Sequence, residues 1–180
     1  EMHDKVNNML VVFVGTGIGG ALFFDGKIYR GSSFYAGEIG HMLVSAEGLL
    51  MGAKKKTTFE GLASRTAIVK AIQKDIKEGK KSAITELMGD KKAIKSKMLL
   101  QAMLKKDKVV TTNINAASKI IGTVLGSIVT LLNIDTIVLG GGVIEAMSKY
   151  MLPIIKKEFD KAVLPEPGKI VKIIATKLGD

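Results

Sequence analysis

The sequence contains no cysteine and no tryptophan, and only three prolines among its 180 residues. The absence of cysteine excludes a disulfide-stapled fold, a Cys-ligated zinc site, an iron–sulfur cluster and a cysteine nucleophile. The low proline content excludes a Pro-rich linker, and the 20 glycines follow no collagen-type repeat. Because 47% of the residues are hydrophobic, the chain is long and apolar enough for one domain with a sizeable core.

Arginine is also scarce, although the formal net charge is +10. Arg30 and Arg65 are the only arginines among the 27 basic residues, and the rest are lysines. Sequence-specific nucleic-acid binding relies on the bidentate guanidinium group, so this composition argues against it. We interpret the short lysine runs as solvated helix faces and expect no direct nucleic-acid binding by this chain.

The chain shows no apolar leader, because its first residues, EMHDKVNN, are polar. The longest uncharged apolar stretch, residues 120–134, is shorter than the roughly 20 residues that a membrane span needs. We therefore expect a soluble, cytoplasmic protein that does not enter a membrane.

The first 45 residues predict antiparallel strands. The apolar run Met9–Val14 reads as a buried strand that stops at glycine, and Ala21–Phe24 resumes a strand. Asp25-Gly26 is a strong hairpin signal, with Lys27–Arg30 as the return strand. We expect a β-meander here, followed by a loop and a short strand at His41–Val44.

The remainder predicts helices and two further strands. Apolar spacing of three and four residues indicates a long, mostly buried helix at 112–132 and a helix from Gly61 to Gly79. Further predictions are helices at 82–88, 93–104 and 145–162 (with a possible kink at Pro153), a turn at 165–168, and strands at 135–139 and 170–175. The order gives an α/β fold with a mixed sheet.

Three glycine-containing segments are candidates for ligand binding. In Gly15-Thr16-Gly17-Ile18-Gly19-Gly20, backbone N–H groups can crowd around an anion, and the Thr16 hydroxyl adds a donor. No helix follows this loop and no Gly-Lys-Ser/Thr closes it, so the Rossmann and Walker patterns both fail. A plain tight turn between two strands remains the alternative.

The second segment, residues 36–41, places Glu38 and His41 three positions apart between glycines. A carboxylate and an imidazole there can bind the hydroxyls of a polyol, although an exposed Glu and a structural His are the alternative. In the third segment, residues 137–143, a buried strand ends in Gly140, Gly141 and Gly142. Three glycines let a planar or phosphorylated ligand lie against the backbone; a simple strand-to-helix turn is the alternative.

Together these segments resemble the ROK family, named for repressors, open reading frames and kinases. VFVGTGIGGALFFDGKIYRGSSFYAGEIGH is similar to the family's signature region, and IDTIVLGGGV is similar to its later glycine motif. The resemblance covers essentially the whole chain and is weak only over residues 68–107. It implies the actin-like ATPase (ribonuclease H-like) fold, of which residues 1–180 would be the second, C-terminal lobe, with a helical insertion at 61–107.

The resemblance also implies roles for individual residues. Gly15, Thr16 and Gly17 correspond to a phosphate loop, and Gly140, Gly141 and Gly142 to an adenosine contact. Glu38, His41 and Glu60 correspond to ligands of the sugar hydroxyls. The implied activity is an ATP-dependent hexose kinase of glucokinase type, with Mg²⁺ accompanying the nucleotide. A hexose and a nucleotide are the implied partners, and a homodimer is the implied assembly.

Two departures from the family pattern change these expectations. The family's three zinc-binding cysteines fall at Met51, Ala53 and Thr58, whose side chains cannot replace thiolates, so we expect no zinc and an exposed loop at 46–58. The first lobe, which carries the aspartate that acts as base on the sugar hydroxyl, has no counterpart before Met9. We therefore expect this chain to hold no catalytic residue and to be inactive alone.

Three functions follow as hypotheses. In the first, the chain is a lobe of a sugar kinase. In the second, it is the sugar-sensing lobe of a ROK transcriptional regulator. In the third, it is a non-catalytic structural or oligomerisation unit, an idea that the loss of the three cysteines supports.

Overall fold

The fold is built on a five-stranded mixed sheet. The computed structural model describes residues 6–44 and 57–176. Five strands lie in the order β3-β2-β1-β4-β5, and their bounds are β1 Met9–Val14, β2 Ile18–Phe24, β3 Lys27–Tyr29, β4 Thr136–Gly140 and β5 Lys172–Ala175. The first three are antiparallel neighbours, whereas β1 pairs with β4 and β4 with β5 in parallel. The predicted meander and mixed sheet are thus confirmed.

The hairpin between β2 and β3 turns on Asp25 and Gly26, as the sequence predicts. Both residues have positive φ, 50° and 71°, which a two-residue turn matching the strand twist requires. The side chains of β1 alternate in burial, and Leu10, Val12 and Val14 are fully buried. This strand therefore contributes one full face to the core.

The described residues contain seven α-helices, and their bounds are α1 Phe59–Ala63, α2 Arg65–Lys77, α3 Ile84–Met88, α4 Ser96–Leu104, α5 Lys108–Leu132, α6 Gly142–Ala162 and α7 Pro165–Ile170. A short 3-10 turn, Ile39–His41, precedes them. The buried side chains form one continuous core that joins the sheet to α5 and α6.

Several predicted elements differ from the observed ones. The strand expected at 41–44 is the end of the 3-10 turn followed by one isolated bridge, Leu43 to Thr58. The single helix expected from Gly61 to Gly79 is two helices, because Ser64 adopts an extended conformation and its hydroxyl accepts the Ala67 N–H to cap α2. The loop prediction for residues 46–58 lies mostly outside the described residues.

Two further corrections concern prolines. Pro165 starts the helix α7 where a turn was expected, since proline suits the first helical position. Helix α6 runs through Pro153, and its non-helical residue is Met147, with φ −132° and ψ 18°, six positions before the proline. The kink predicted at Pro153 is therefore not observed there: the break in the helical geometry falls at Met147.

Helices α5 and α6 pack closely because glycines on α5 face the backbone of α6. A Cβ at Gly122 would overlap the carbonyl oxygen of Ile155, and one at Gly126 would lie 2.8 Å from the Cβ of Ala162. By length and a mean hydropathy of 1.5, α5 also meets the criterion for a membrane span. Its buried residues instead belong to the core cluster, and it serves as the central helix of this fold.

The start of α5 is fixed by Asp107, the N-cap residue. Its carboxylate accepts the Val110 N–H at 3.0 Å, the Ala83 N–H at 2.6 Å and the Ser82 hydroxyl at 2.6 Å. Burial by itself would raise the pKa of Asp107, but these hydrogen bonds outweigh burial and hold the pKa below its usual value. One carboxylate therefore joins the starts of α3 and α5.

Candidate functional site

The candidate site lies at the carboxyl ends of the parallel strands β1 and β4. The loop Gly15–Gly17 follows β1, and Gly140, Gly141 and Gly142 end β4 and begin α6. Gly141 has a φ of 85°, and a Cβ there would lie 2.8 Å from the backbone N and O of Val14. Gly141 thus packs against the last residue of β1, directly before the first glycine loop, at the edge of the sheet where α/β proteins bind ligands.

The first glycine loop is tied to the start of α2. The Gly15 carbonyl accepts the Arg65 N–H at 2.9 Å, and the Thr16 carbonyl accepts the Thr66 hydroxyl at 2.7 Å. The guanidinium group of Arg65 donates to the Thr16 hydroxyl. These contacts hold the loop against the start of α2.

Only some backbone donors of this loop are available to an anion. The Gly15 N–H donates to the Gly17 carbonyl at 2.9 Å, and the Ile18 N–H donates to Glu60. The N–H groups of Thr16 and Gly17 meet no acceptor among residues 6–44 and 57–176. Together with the Thr16 hydroxyl and the Arg65 guanidinium, they form the set of donors that a phosphate group would meet.

Glu60 links the glycine loop to the predicted sugar-binding segment. It lies in the first turn of α1, and its Oε2 accepts the Ile18 N–H at 2.9 Å. A Cβ at Gly17 would overlap this carboxylate, and a Cβ at Gly40 would lie 3.4 Å from the Glu60 Cβ. The half-buried Glu60 therefore stands between the Gly15–Gly17 loop and the 3-10 turn.

Glu38 and His41 flank the 3-10 turn and are exposed. Their side chains are 58% and 76% accessible, and Glu38 Oε2 lies 3.8 Å from His41 Nε2, too far for a hydrogen bond. The chain before the turn packs closely on β2, because a Cβ at Gly37 would lie 2.6 Å from the Gly20 carbonyl oxygen. Both side chains are thus free to bind a hydroxylated ligand beside Glu60.

The residues at the family's zinc positions do not fit a zinc ion. Met51 and Ala53 lie outside the described residues, but neither side chain is a thiolate. Thr58 is described, and its hydroxyl caps α1 by accepting the Gly61 N–H at 3.1 Å. The third position thus has a structural role at the start of the helix that carries Glu60.

A cleft between α4 and α6 opens beside Gly142, and sequence reasoning missed it. Its volume is about 750 Å³, and its lining includes Arg65, Lys95, Ser96, Lys97 and Glu145. The signal that could have found it is Arg65, one of only two arginines, set directly after the capping residue Ser64. Arg65 also donates a hydrogen bond to the Thr16 hydroxyl, so this one side chain touches both the cleft and the first glycine loop.

The fold defines the class of this protein as a lobe of the actin-like ATPase fold, with the candidate ligand site at the carboxyl edge of its sheet. The family model for the ROK family matches residues 1–180. The chain belongs to the ROK family.

Curated relatives support this membership. The chain is 30% identical to a glucokinase of Halalkalibacterium halodurans over 98% of its own length and 54% of the relative's. It is 34% identical to an N-acetylmannosamine kinase of Vibrio cholerae over 79% of its length and 45% of the relative's. The chain thus spans about half the length of the curated relatives it matches.

Solved structures share the fold. A ROK family glucokinase from Streptomyces griseus, determined in complex with glucose and AMPPNP, superposes with a TM-score of 0.80 at 25% identity, covering 98% of this chain and 57% of that one. A ROK family transcriptional regulator superposes with a TM-score of 0.79 at 22% identity, over 94% of this chain and 42% of that one. The regulator, at that identity, shows the fold alone.

Proposed function

We propose that this chain is the hexose- and donor-binding lobe of a sugar kinase that transfers a phosphoryl group from ATP to a glucose-like hexose or an N-acetylhexosamine. The observation that carries the proposal is the hydrogen bond from the Ile18 N–H to Glu60. This contact joins the predicted phosphate loop to the predicted sugar contacts. Phosphoryl transfer depends mainly on holding donor and acceptor in line, so such a junction suits it.

On the acceptor side, Glu38, His41 and Glu60 would bind the sugar hydroxyls. Glu38 and His41 are exposed and not hydrogen-bonded to each other. Glu60 uses Oε2 for the Ile18 N–H and keeps its second oxygen. Carboxylates accept hydrogen bonds from hydroxyls and an imidazole can do either, which suits a polyol.

On the donor side, Gly15, Thr16 and Gly17 would hold phosphate, and Gly140, Gly141 and Gly142 would contact the adenosine. Mg²⁺ would accompany the nucleotide and neutralise charge on its phosphates. The base that takes the proton of the sugar hydroxyl lies outside this chain in the proposal. The protein would act in the cytoplasm and would form a homodimer. Analytical ultracentrifugation of the purified chain tests the dimer.

The sugar contacts are tested by titrating the ¹⁵N-labelled chain with glucose, N-acetylglucosamine and N-acetylmannosamine. We expect one of these sugars to shift the amide signals of Gly17, Ile18 and Gly40, which surround Glu60. Glu38→Gln should abolish the shifts, whereas Glu86→Gln, on an exposed carboxylate of α3, should leave them unchanged. Unchanged spectra with all three sugars would reject the assignment of this segment.

The absence of turnover is tested separately. The purified chain, incubated with ATP, Mg²⁺ and each sugar, should form no sugar phosphate in a coupled assay. Phosphorylation that is lost in Glu38→Gln would show that the chain supplies its own base and would overturn that part of the proposal.

The sensing lobe of a transcriptional regulator remains the alternative, because a sensor would use the same sugar contacts. The donor side separates the two functions. A kinase lobe should bind ATP as well as sugar, whereas a sensor needs the sugar alone. Binding of sugar with no measurable binding of ATP would favour the regulator.

A further inference from the structure

Exposed apolar side chains are concentrated in the segment that carries the predicted sugar ligands. Phe34 is 75% exposed and Tyr35 is 74% exposed, and the half-buried Met42 follows His41 directly. Of the twelve exposed large hydrophobic side chains in the described residues, five fall within residues 28–42. Single exposed apolar residues are ordinary, but such a concentration is typical of a binding surface.

The rings of Phe34 and Tyr35 do not pack on the rest of the fold. The ring contact found in the described residues joins Phe24 to Tyr29 and involves neither of them. No described residue forms a hydrogen bond with the Tyr35 hydroxyl. Because the two rings bury little surface, they contribute little to the stability of the fold and remain open to a ligand.

The backbone of this loop is strained at Phe34. Its φ is 65°, in the left-handed region that a bulky side chain avoids and glycine adopts freely. The loop is closed at its base, because the Ala36 N–H donates to the Arg30 carbonyl at 3.2 Å and a Cβ at Gly31 would lie 3.3 Å from the Ala36 Cβ. A strained residue whose side chain is also unpacked points to contact with a ligand.

The same loop leads directly into the predicted sugar-binding segment. Tyr35 lies three positions before Glu38, so their Cα atoms are at most about 11 Å apart. Gly37, between them, packs against the Gly20 carbonyl oxygen of β2. The aromatic pair and the predicted hydroxyl ligands thus belong to one continuous stretch of surface beside the sheet.

The two sets of side chains complement each other chemically. Glu38, His41 and Glu60 offer polar groups alone, whereas small-molecule sites combine a few polar groups with apolar and aromatic walls. A pyranose ring carries hydroxyls at its edge and C–H groups on its faces. These C–H groups are slightly positive, and the negative face of an aromatic ring attracts them. A sugar ring is therefore a ligand that uses both sets at once.

We propose that Phe34 and Tyr35 are specificity-determining residues, whose rings stack on the C–H face of the sugar whose hydroxyls Glu38 and His41 bind. The inference rests on the proposed function and adds an apolar subsite to it. An axial hydroxyl on the stacked face holds an aromatic ring away, so stacking selects for the configuration of the sugar. The subsite thus discriminates between hexoses that differ at a single carbon.

The test follows the sugar by proton NMR, with glucose, N-acetylglucosamine and N-acetylmannosamine each mixed with the full 180-residue chain. Protons that lie over the face of an aromatic ring move upfield. We expect the sugar that binds to show upfield shifts of the C–H protons on one face of its ring, a signature that hydrogen bonds to carboxylates do not produce. Sugar binding without an upfield shift of any ring proton would overturn the proposal.

Two tyrosines provide a matched pair of variants. Tyr35→Ala should weaken sugar binding about three- to tenfold and reduce the upfield shifts, because a stacked aromatic ring contributes about that factor. Tyr150→Ala removes an exposed tyrosine from α6 and should leave the affinity and the shifts unchanged. Equal affinities in the two variants would refute the subsite.

Phe34→Gly separates a binding role from a structural one. Glycine relieves the strain at this φ, so the melting temperature should rise by about 1–4 °C while sugar binding weakens about threefold. A stabilised chain with unaltered affinity, or a destabilised chain, would contradict the proposal. Binding that is lost in Glu38→Gln but unchanged in Tyr35→Ala would reject the stacking and leave the proposed function standing, whereas a parent chain that binds none of the sugars would reject both.

Discussion

Replacement of Gly17 by alanine tests the junction between the glycine loop and Glu60. A Cβ at Gly17 would overlap the Glu60 carboxylate, and Gly17 has no positive φ that would strain alanine. The end of the Glu60 side chain must then move, and the buried Ile18 loses the acceptor of its N–H. By contrast, Gly19 has no atom within 4 Å of the position of a Cβ. Gly19→Ala is therefore the matched control in the same segment.

The magnitude follows from one lost bond. A hydrogen bond to a charged acceptor contributes about 1.5–3 kcal/mol, and alanine recovers about 0.4–1 kcal/mol by restricting the unfolded chain. Gly17→Ala should thus reduce the free energy of unfolding by about 1–2 kcal/mol and lower the melting temperature by about 2–8 °C. Gly19→Ala should stay within about 0.5 kcal/mol of the parent chain. Thermal unfolding followed by circular dichroism measures both.

A double-mutant cycle between Gly17 and Glu60 tests whether the cost of alanine comes from this contact. In a Glu60→Ala background there is no carboxylate to displace, so Gly17→Ala should cost no more than Gly19→Ala does. A cost for Gly17→Ala that is the same with and without Glu60 would show that the loop itself, and not this contact, requires glycine.

Two other predictions concern the helices. Asp107→Ala should lower stability by about 2–3 kcal/mol in urea titrations, because it removes a cap and the bond to Ser82. The pKa of Asp107 is lowered in the folded chain, so its contribution to stability is present above about pH 4 and is lost as the pH falls through the folded pKa. In Asp107→Asn, the free energy of unfolding should therefore decrease less between pH 4 and lower pH than in the parent chain. Gly122→Ala would place a Cβ against the Ile155 carbonyl oxygen and should lower the free energy of unfolding by about 1–3 kcal/mol. Ser127→Ala on the same helix should change it by no more than about 0.5 kcal/mol. Equal melting temperatures for the Gly122→Ala and Ser127→Ala chains would contradict the close packing of α5 on α6.

Local signals in the sequence predict much of the fold. The Asp25-Gly26 pair specifies the hairpin by its own backbone preference, and the apolar periodicity of α5 is long enough to define a helix. Short elements were predicted less well. Residues 41–44 alternate like a strand, but in the described residues their pairing is confined to the bridge of Leu43 with Thr58, because the partner segment turns into helix α1 at Phe59. Tertiary contacts of this kind override local propensity.

The candidate site was only partly accessible to sequence reasoning. Motif spacing predicts Glu38, His41 and the glycines as candidates, and the structure places the 3-10 turn between Glu38 and His41 against the glycine segment that begins β2. The role of Arg65 at Thr16 depends on how α2 meets the loop, 49 positions away along the chain. The cleft that Ser96 lines is likewise visible only once α4 and α6 are packed.

The position of β1 in the sheet has a consequence for how the chain folds. Its parallel partner β4 lies 127 positions further on, since Met9 pairs with Thr136. Until β4 has been synthesised, the edge of the apolar strand MLVVFV that pairs with it has no partner strand. Open apolar edges of this kind recruit other chains, and distant pairings form slowly. The same arrangement that places the two glycine turns at one edge of the sheet thus leaves this strand open to aggregation until β4 has been synthesised.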